Sequence, residues 1–304
     1  MTSSHGGGKG GAHSGEIGFM LSYCRWLTIL FCVCGAFTAF GADRLLLFVT
    51  IAPQREIIER VAGEEAQVEV LVPPGMSPEN FSPGARTLNS LAEADCFFTI
   101  GVESEEAVMP KLRRLNPAMR VVAPAGLRYL DFPPPGDGRD PHVWLAVDNL
   151  MLLARQCAET LGSLRPAHLA VFRERAERYC RELTALDQEI AALLAPLRGR
   201  TVLVFHPAFG YFLERYGLQQ LPVELEGKEP PGGYLMQTMR RAKREKCPAL
   251  FVQPQMNPRS VKTVSSELDC AVVQLDPLPL SISGGLRQIA RAVAQSYVAA
   301  AEEP

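Results

Sequence analysis

Residues 166–197 read PAHLAVFRERAERYCRELTALDQEIAALLAPL, and this stretch decides how the rest of the chain is divided. It is dense in Ala, Leu, Glu and Arg, its apolar residues recur at helical spacing, and no Gly or Pro interrupts it before Pro196. The pattern predicts one long helix over residues 166–198, about 45 Å in length at about 1.5 Å per residue. A helix of that length can tie two lobes rigidly together.

On both sides of this helix, apolar runs of strand length alternate with amphipathic stretches. That alternation is typical of parallel sheets covered by helices, so the predicted fold class is α/β. We predict an N-terminal lobe over residues 43–165 and a C-terminal lobe over residues 199–304, each with a parallel sheet covered by helices, joined by the long helix. The predicted strands cover residues 45–51, 68–72, 96–100, 120–122, 201–205, 249–253 and 271–275, with a closing helix over residues 285–302.

The start of the chain differs in composition from the rest. Residues 1–19 are mainly Gly, Ser and His, which predicts a disordered extension or sequence upstream of a true start at Met20. Residues 20–42 have the layout of a secretory signal peptide, with a positive charge at Arg25, an apolar run and small residues before a cleavage site near Gly41 or Ala42. A membrane anchor is the alternative, but the run is shorter than the about 20 apolar residues that a span needs. The protein is therefore expected to be exported to the periplasm or another extracytoplasmic compartment.

The charge of the chain argues against nucleic-acid binding, and its cysteine spacing argues against a thiolate metal site. The formal net charge is −2 and no run of Lys or Arg stands out, so the chain is not expected to bind nucleic acid. Three of the eight cysteines lie in the predicted signal peptide, and no two of the others form a CxxC pair, so a thiolate metal site has no support. Cys247 and Cys270 each precede a predicted strand of the second lobe, which leaves open either a disulfide or two free thiols.

Four polar side chains are candidate metal ligands because they lie in loops or directly after predicted strands. In open α/β sheets, ligands bind beyond the carboxyl ends of the strands. Glu79 lies in the loop GMSPENFSP, His142 lies in DPHVWL, His206 follows TVLVF and Asp276 follows AVVQL. Two imidazoles and two carboxylates can cage a divalent cation. Each residue alone also has an ordinary explanation, since a loop histidine often forms a capping hydrogen bond and Asp276 can be a turn residue before Pro277.

Other residues near these loops have less specific roles. His168 lies within the long helix and is expected on the surface. Residues 224–229 form a charged loop that is expected to be solvated, although Glu226 or Glu229 is an alternative hydrogen-bond partner for His206. The aromatic residues that either shield an ion or pack in the core are Phe81, Tyr211 and Phe212.

Several short phrases follow one another along the predicted mature chain. They are APQ at residues 52–54, GMSPENFSPG at 75–84, ADCFFTIG at 94–101, DPHVWL at 140–145, VFHPAFGYFLERYGL at 204–218, EGKEPP at 226–231, FVQPQ at 251–255 and VVQLDPL at 272–278. With these phrases in this order, the chain resembles the metal-specific solute-binding proteins of ABC importers, the zinc and manganese uptake group. The resemblance implies two α/β lobes joined by a rigid helix, with a metal ion held between them by one residue from each of four loops.

The resemblance also implies a ligand set and a function. By position in the phrases, His142, His206 and Asp276 match the group's metal ligands, and Glu79 stands where the group usually has a histidine. The implied function is that of an extracytoplasmic substrate-binding protein of an ABC transporter, which hands a divalent metal ion to the membrane permease. Such a protein is expected to be monomeric and not to be an enzyme.

The choice of metal and the rival functions depend on finer features. The phrases FHPAFGYF and EGKEP resemble the zinc branch of this group, which favours zinc. The two carboxylates, and the lack of the His-rich loop that many zinc-uptake members have, keep manganese as the alternative. The rival functions on this scaffold are a metal-dependent surface adhesin and a metallohydrolase, although no HExxH motif is present. Histidine binds a metal only when neutral, so the sequence predicts that affinity falls below about pH 6.5.

Overall fold

The protein contains two parallel four-stranded sheets. The computed structural model describes residues 44–132, 138–225 and 231–302. The strands of the first sheet are β1 (Leu45–Val49), β2 (Ala66–Val70), β3 (Cys96–Phe98) and β4 (Arg120–Val122), in the order β2-β1-β3-β4. Those of the second are β5 (Thr201–Val204), β6 (Gln219–Pro222), β7 (Ala249–Val252) and β8 (Ala271–Gln274), in the order β6-β5-β7-β8. All neighbouring strands are parallel. The two lobes therefore repeat one topology, and within each sheet the carboxyl ends of the strands meet at one edge.

Nine helices connect and cover these strands within the described residues. In chain order they are α1 (Ala52–Ala62), α2 (Ala85–Ala92), α3 (Glu103–Leu115), α4 (Val147–Leu164), α5 (Leu169–Leu194), α6 (Gly210–Arg215), α7 (Gly232–Arg244), α8 (Pro258–Leu268) and α9 (Ile282–Glu302). The start of α8 shows why a helix begins where it does. The side chain of Asn257 accepts a hydrogen bond from the amide of Arg259 at 2.9 Å, and Pro258 occupies the first turn. Both features favour a helix N-terminus, because they satisfy or remove an amide that has no partner inside the helix.

The predicted long helix is confirmed as α5, with a 3₁₀ turn at each end over Pro166–His168 and Ala195–Leu197. It packs against α1 and α4 of the first lobe and against α9 of the second. Its residue Tyr179 donates a hydrogen bond to Glu56 of α1 at 3.1 Å, while its Asp187 accepts one from Tyr216 of the second lobe at 2.9 Å. The helix thus joins the two α/β lobes, as the sequence predicted.

The predicted strands are present, but several boundaries differ and one strand was missed. The strand predicted at residues 68–72 lies at Ala66–Val70, and most of the other predicted strands end one or two residues too late. The missed strand is β6, whose sequence QQLP has two polar residues and a proline. Among the described strands it pairs only with β5 and forms the edge of its sheet, where a proline is tolerated because one side of the strand needs no partner.

Two further expectations concern the cysteines and the start of the chain. Cys247 and Cys270 are both free, so of the two open alternatives the structure has two thiols and not a disulfide. Burial raises the pKa of Cys247 to about 11. The predicted extension at residues 1–19 and the predicted signal peptide at 20–42 lie outside the described residues. Within the described part of the chain, no helix has both the length and the apolar character needed to cross a membrane.

Candidate metal site

His206 is held at the carboxyl edge of the second sheet by the pairing of β5 with β6. Val204 pairs with Pro222 at the ends of these strands, and His206 and Glu224 each follow two residues later. The amide of Glu224 donates to the carbonyl of Phe205 at 3.0 Å, which continues the pairing past the strands. As a result, His206 Nδ1 lies 2.6 Å from Glu224 Oε1, and the imidazole is buried with 3% of its side chain exposed. The other ring nitrogen, Nε2, is left to face the first lobe.

His142 is oriented in the same way by a carboxylate on its own loop. It lies between β4 and α4, and the Asp140 Oδ1 atom is 2.7 Å from its Nδ1 and accepts a hydrogen bond from its backbone amide at 2.9 Å. Tyr211 donates its hydroxyl hydrogen to the carbonyl oxygen of Asp140 at 2.7 Å, which ties this loop of the first lobe to α6 of the second. A carboxylate on Nδ1 fixes the ring orientation and raises the basicity of the free nitrogen, as in many metal-bound histidines.

Glu79 reaches the two histidines from the loop after β2. Its Oε1 atom is 3.1 Å from His206 Nε2, and 31% of its side chain is exposed. Burial on its own raises the pKa of Glu79, but the hydrogen bond and charge of His206 and the charge of His142 outweigh it and hold the pKa below its usual value. Glu79 is therefore a carboxylate at neutral pH and can act as a ligand.

Three of the four predicted ligands come together in the structure. Glu79, His142 and His206 each offer one ligand atom, and these atoms all lie within 4.8 Å of one another. The two imidazole rings are 5.3 Å apart between centroids and meet at 74°. Ligand atoms around a tetrahedral zinc ion are about 3.3 Å apart, given zinc–ligand distances near 2 Å. A small inward movement of these side chains is enough to coordinate an ion.

Asp276, the fourth predicted ligand, lies outside this group of three. Its Oδ1 atom accepts a hydrogen bond from the amide of Leu278 at 2.9 Å, as in a turn. The two residues that follow it, Pro277 and Leu278, line the same small cavity as the three clustered ligands. Trp144 also donates from Nε1 to the carbonyl of Pro277 at 2.7 Å. The loop of Asp276 thus borders the site, and its role as a ligand remains a prediction.

The two carboxylates also determine the charge of His206 when no metal is bound. Burial alone lowers the pKa of His206, but its hydrogen bonds to Glu224 and Glu79 and their charges outweigh burial and raise the pKa to about 9. At neutral pH, His206 is therefore a positively charged imidazolium that lies between the carboxylates of Glu79 and Glu224. A metal ion that binds between His206 and Glu79 has to replace this proton.

The sequence did not identify the two supporting carboxylates. Residues 224–229 were expected to be solvated, which is wrong for Glu224, since only 14% of its side chain is exposed and it contacts His206. The alternative partners considered for His206, Glu226 and Glu229, lie outside the described residues. The role of Asp140 could have been found, because an acidic residue two positions before a loop histidine can bond back to it.

The other candidates have structural roles. Tyr211 and Phe212 are fully buried in the main apolar core, which supports the packing interpretation for both, and Phe81 packs at the edge of a smaller apolar cluster. His168 has 42% of its side chain exposed and lies 3.2 Å from Glu65, as expected for a surface residue.

Comparison with known proteins agrees with this geometry. The sequence model of the family described as zinc-uptake complex component A, periplasmic (ZnuA), matches residues 47–300. The high-affinity zinc uptake system protein ZnuA of Brucella abortus (strain 2308) is 33% identical over 148 residues, which cover 48% of this chain and 44% of that protein. The aligned region thus spans less than half the length of that relative.

Other relatives align over more of the chain. The manganese-binding lipoprotein MntA of Halalkalibacterium halodurans is 26% identical over 234 residues, which cover 76% of this chain and 78% of that protein. Among solved structures, a zinc-bound ZnuA that lacks its residues 138 to 173 has a TM-score of 0.79 and 31% identity, with coverage of 84% of this chain and 98% of that one. The similarity therefore includes both lobes and the helix between them.

Proposed function

This chain belongs to the ZnuA family, the periplasmic component A of zinc-uptake complexes, and on that premise we propose that it captures a divalent metal ion outside the cytoplasm and delivers it to the permease of an ABC importer. The observation that carries the proposal is the convergence of Glu79, His142 and His206, whose ligand atoms lie within 4.8 Å of one another. His142 comes from the first lobe and His206 from the second, so an ion bound to both links the two halves of the protein. The metal ion is the cargo of transport, and the protein makes or breaks no covalent bond.

The proposed ligand set is Glu79, His142, His206 and Asp276. Asp276 has a second carboxylate oxygen beyond the one that accepts from Leu278, and its loop borders the site. A short rearrangement of this loop on metal binding brings the fourth donor into the shell. Because α5 packs against both lobes, we expect closure to be confined to such loops and not to involve a wide hinge motion.

Zinc is the proposed cargo, with manganese as the alternative. Two imidazole nitrogens and carboxylate oxygens are a donor set that zinc accepts, and zinc binds more tightly than manganese at sites of equal geometry. Two relatives favour zinc. The relative that is 33% identical is named as a zinc uptake protein, and the solved structure that is 31% identical contains bound zinc. The name of the manganese-binding relative and the two carboxylates of the proposed set favour the alternative.

The cellular setting follows from the same proposal. The protein acts after export through a cleaved signal peptide at residues 20–42, as a monomer that docks on membrane permease subunits. It does not bind nucleic acid and is not an enzyme. Both lobes are expected to contribute to the surface that the permease recognises, because metal binding changes the loops of both.

Metal titration of the purified protein tests this function. Metal-free protein is expected to bind one zinc ion, and His142→Ala and His206→Ala are each expected to weaken binding at least 100-fold by removing a ligand. His168→Ala is the matched control, since this histidine is exposed on the turn before α5 and belongs to no potential metal-ligand group among the described residues. Zinc binding by both ligand variants with the affinity of the control would refute the proposal.

A further inference from the structure

A cavity of about 690 Å³ lies beside the three clustered ligands and includes two of them, Glu79 and His206, in its wall. From there it extends past Met76 of the first lobe to Asn257 and Ser260 at the start of α8. A single metal ion, bound at about 2 Å from its ligands, fills only a small part of this volume. The volume falls within the range of about 300–1,000 Å³ that is typical of sites for small organic molecules.

Two glutamines in this wall carry buried polar atoms that lack a hydrogen-bond partner within the described residues. The atoms are Nε2 of Gln253, a donor, and Oε1 of Gln255, an acceptor. Gln253 lies two residues past Phe251, which pairs with Val204, so it stands at the same level of the sheet edge as His206. Both atoms are almost fully enclosed, so a molecule in the cavity contacts them only after the two glutamine side chains turn toward it. Buried polar atoms are normally paired, and a molecule with one acceptor and one donor group would then satisfy both.

The charges around the cavity narrow the chemistry of such a molecule. Glu79 and Glu224 line it, and none of the described lining residues is a Lys or Arg. A polyanion would therefore be repelled, whereas a molecule with an amine and no net negative charge is accepted. Leu235, Met256 and Val264 add an apolar part of the wall, which suits an uncharged or aromatic side chain.

We propose that this cavity binds a free amino acid that coordinates the metal through its amine, so that the ion and the amino acid are held together. The inference rests on the proposed function, because the ion is the group that joins the two. The carboxylate of the amino acid accepts from Gln253 Nε2, and its metal-bound amine, after losing a proton to solvent, donates to Gln255 Oε1. The amine nitrogen adds one donor to those of the protein, and zinc accepts a fifth ligand.

Calorimetric titration of L-histidine into zinc-loaded protein tests the inference, with native mass spectrometry to count what stays bound. We expect one histidine per zinc-loaded protein and at least tenfold weaker binding to metal-free protein. Ser260→Trp places a large side chain into the cavity and is expected to weaken histidine binding at least tenfold while zinc binding is kept. Ser266→Trp is the matched control, since Ser266 is an exposed serine of the same helix that does not line this cavity.

The outcomes separate this inference from the proposed function. If wild-type protein binds zinc and histidine only removes the ion or leaves it alone, the inference is overturned and the proposed function stands. If wild-type protein binds no zinc at all, the proposed function itself fails. Equal histidine binding by Ser260→Trp and Ser266→Trp would overturn the assignment to this cavity. Citrate binding as tight as that of histidine would overturn the assignment to an amino acid.

Discussion

The affinity for zinc is predicted to rise with pH across the whole neutral range, because His206 has to lose a proton before it can bind an ion. Although burial opposes it, the pair of carboxylates Glu224 and Glu79 raises the pKa of His206 to about 9. At pH 7, about two units lower, roughly one molecule in a hundred has a neutral His206. The apparent association constant is then about 100-fold below its value at high pH and changes about tenfold per pH unit between about pH 6 and 8.

This expectation differs from the one that an ordinary imidazole gives, in which affinity falls only below about pH 6.5. The assay is competition for zinc with a chelator of known affinity at each pH, together with calorimetry in buffers of different ionisation heat. About one proton is expected to leave His206 per zinc ion bound at pH 7. Glu224→Gln removes the charged hydrogen-bond partner that makes the largest single upward contribution to the pKa of His206, so the fall in affinity is expected to begin at lower pH. A wild-type affinity that stays constant between about pH 7 and 8 would refute this reasoning.

Four further outcomes are expected. Above about pH 9, where protons no longer compete for His206, Glu224→Ala should weaken zinc binding by about 10- to 100-fold, because His206 loses the carboxylate that orients it. Glu214→Ala, at a glutamate with 51% of its side chain exposed, should not weaken it; equal affinities of the two variants would contradict the supporting role of Glu224. Asp276→Asn should lower zinc affinity while one ion is still bound, and an unchanged affinity would remove Asp276 from the ligand set. Zinc at 100 times its Kd should raise the free energy of unfolding by about 2.7 kcal/mol, seen as a higher Tm that a chelator reverses, and an unmoved Tm would argue against a folded-state site. In metal-free protein, the raised pKa of His206 stabilises the fold below about pH 6.5, and this contribution should disappear as pH rises through about 9; a Tm that does not fall over that interval would show that the proton is not held.

The fold class could be predicted because its signals are local. The helical spacing of apolar residues in α5 and the strand-length apolar runs of β1, β3, β5 and β7 repeat over a few residues, and each repeat needs only its own segment to be recognised. The edge strand β6 was missed for the same reason. Its four residues, QQLP, have no pattern of their own, and only pairing with β5 makes them a strand.

Three members of the site could also be predicted, since Glu79, His142 and His206 lie in loops or directly after recognisable strands, where ligands of α/β sheets bind. What the sequence could not supply was their environment. Glu224 lies 18 residues from His206 and becomes its partner only because β6 pairs with β5. The raised pKa of His206 depends on that contact and on Glu79 from the other lobe.

The sequence by itself thus determined the class of fold, the order of seven of the eight described strands, the long connecting helix and the residue types that can bind a metal. Only the tertiary structure decided which of those residues lie within 4.8 Å of one another, which carboxylates hold the imidazoles, and that an additional cavity adjoins them. The physical reason is the distance along the chain over which each kind of signal acts. Helical and strand patterns depend on neighbours a few positions apart, whereas distances, burial and charge depend on segments brought together only when the two lobes fold against α5.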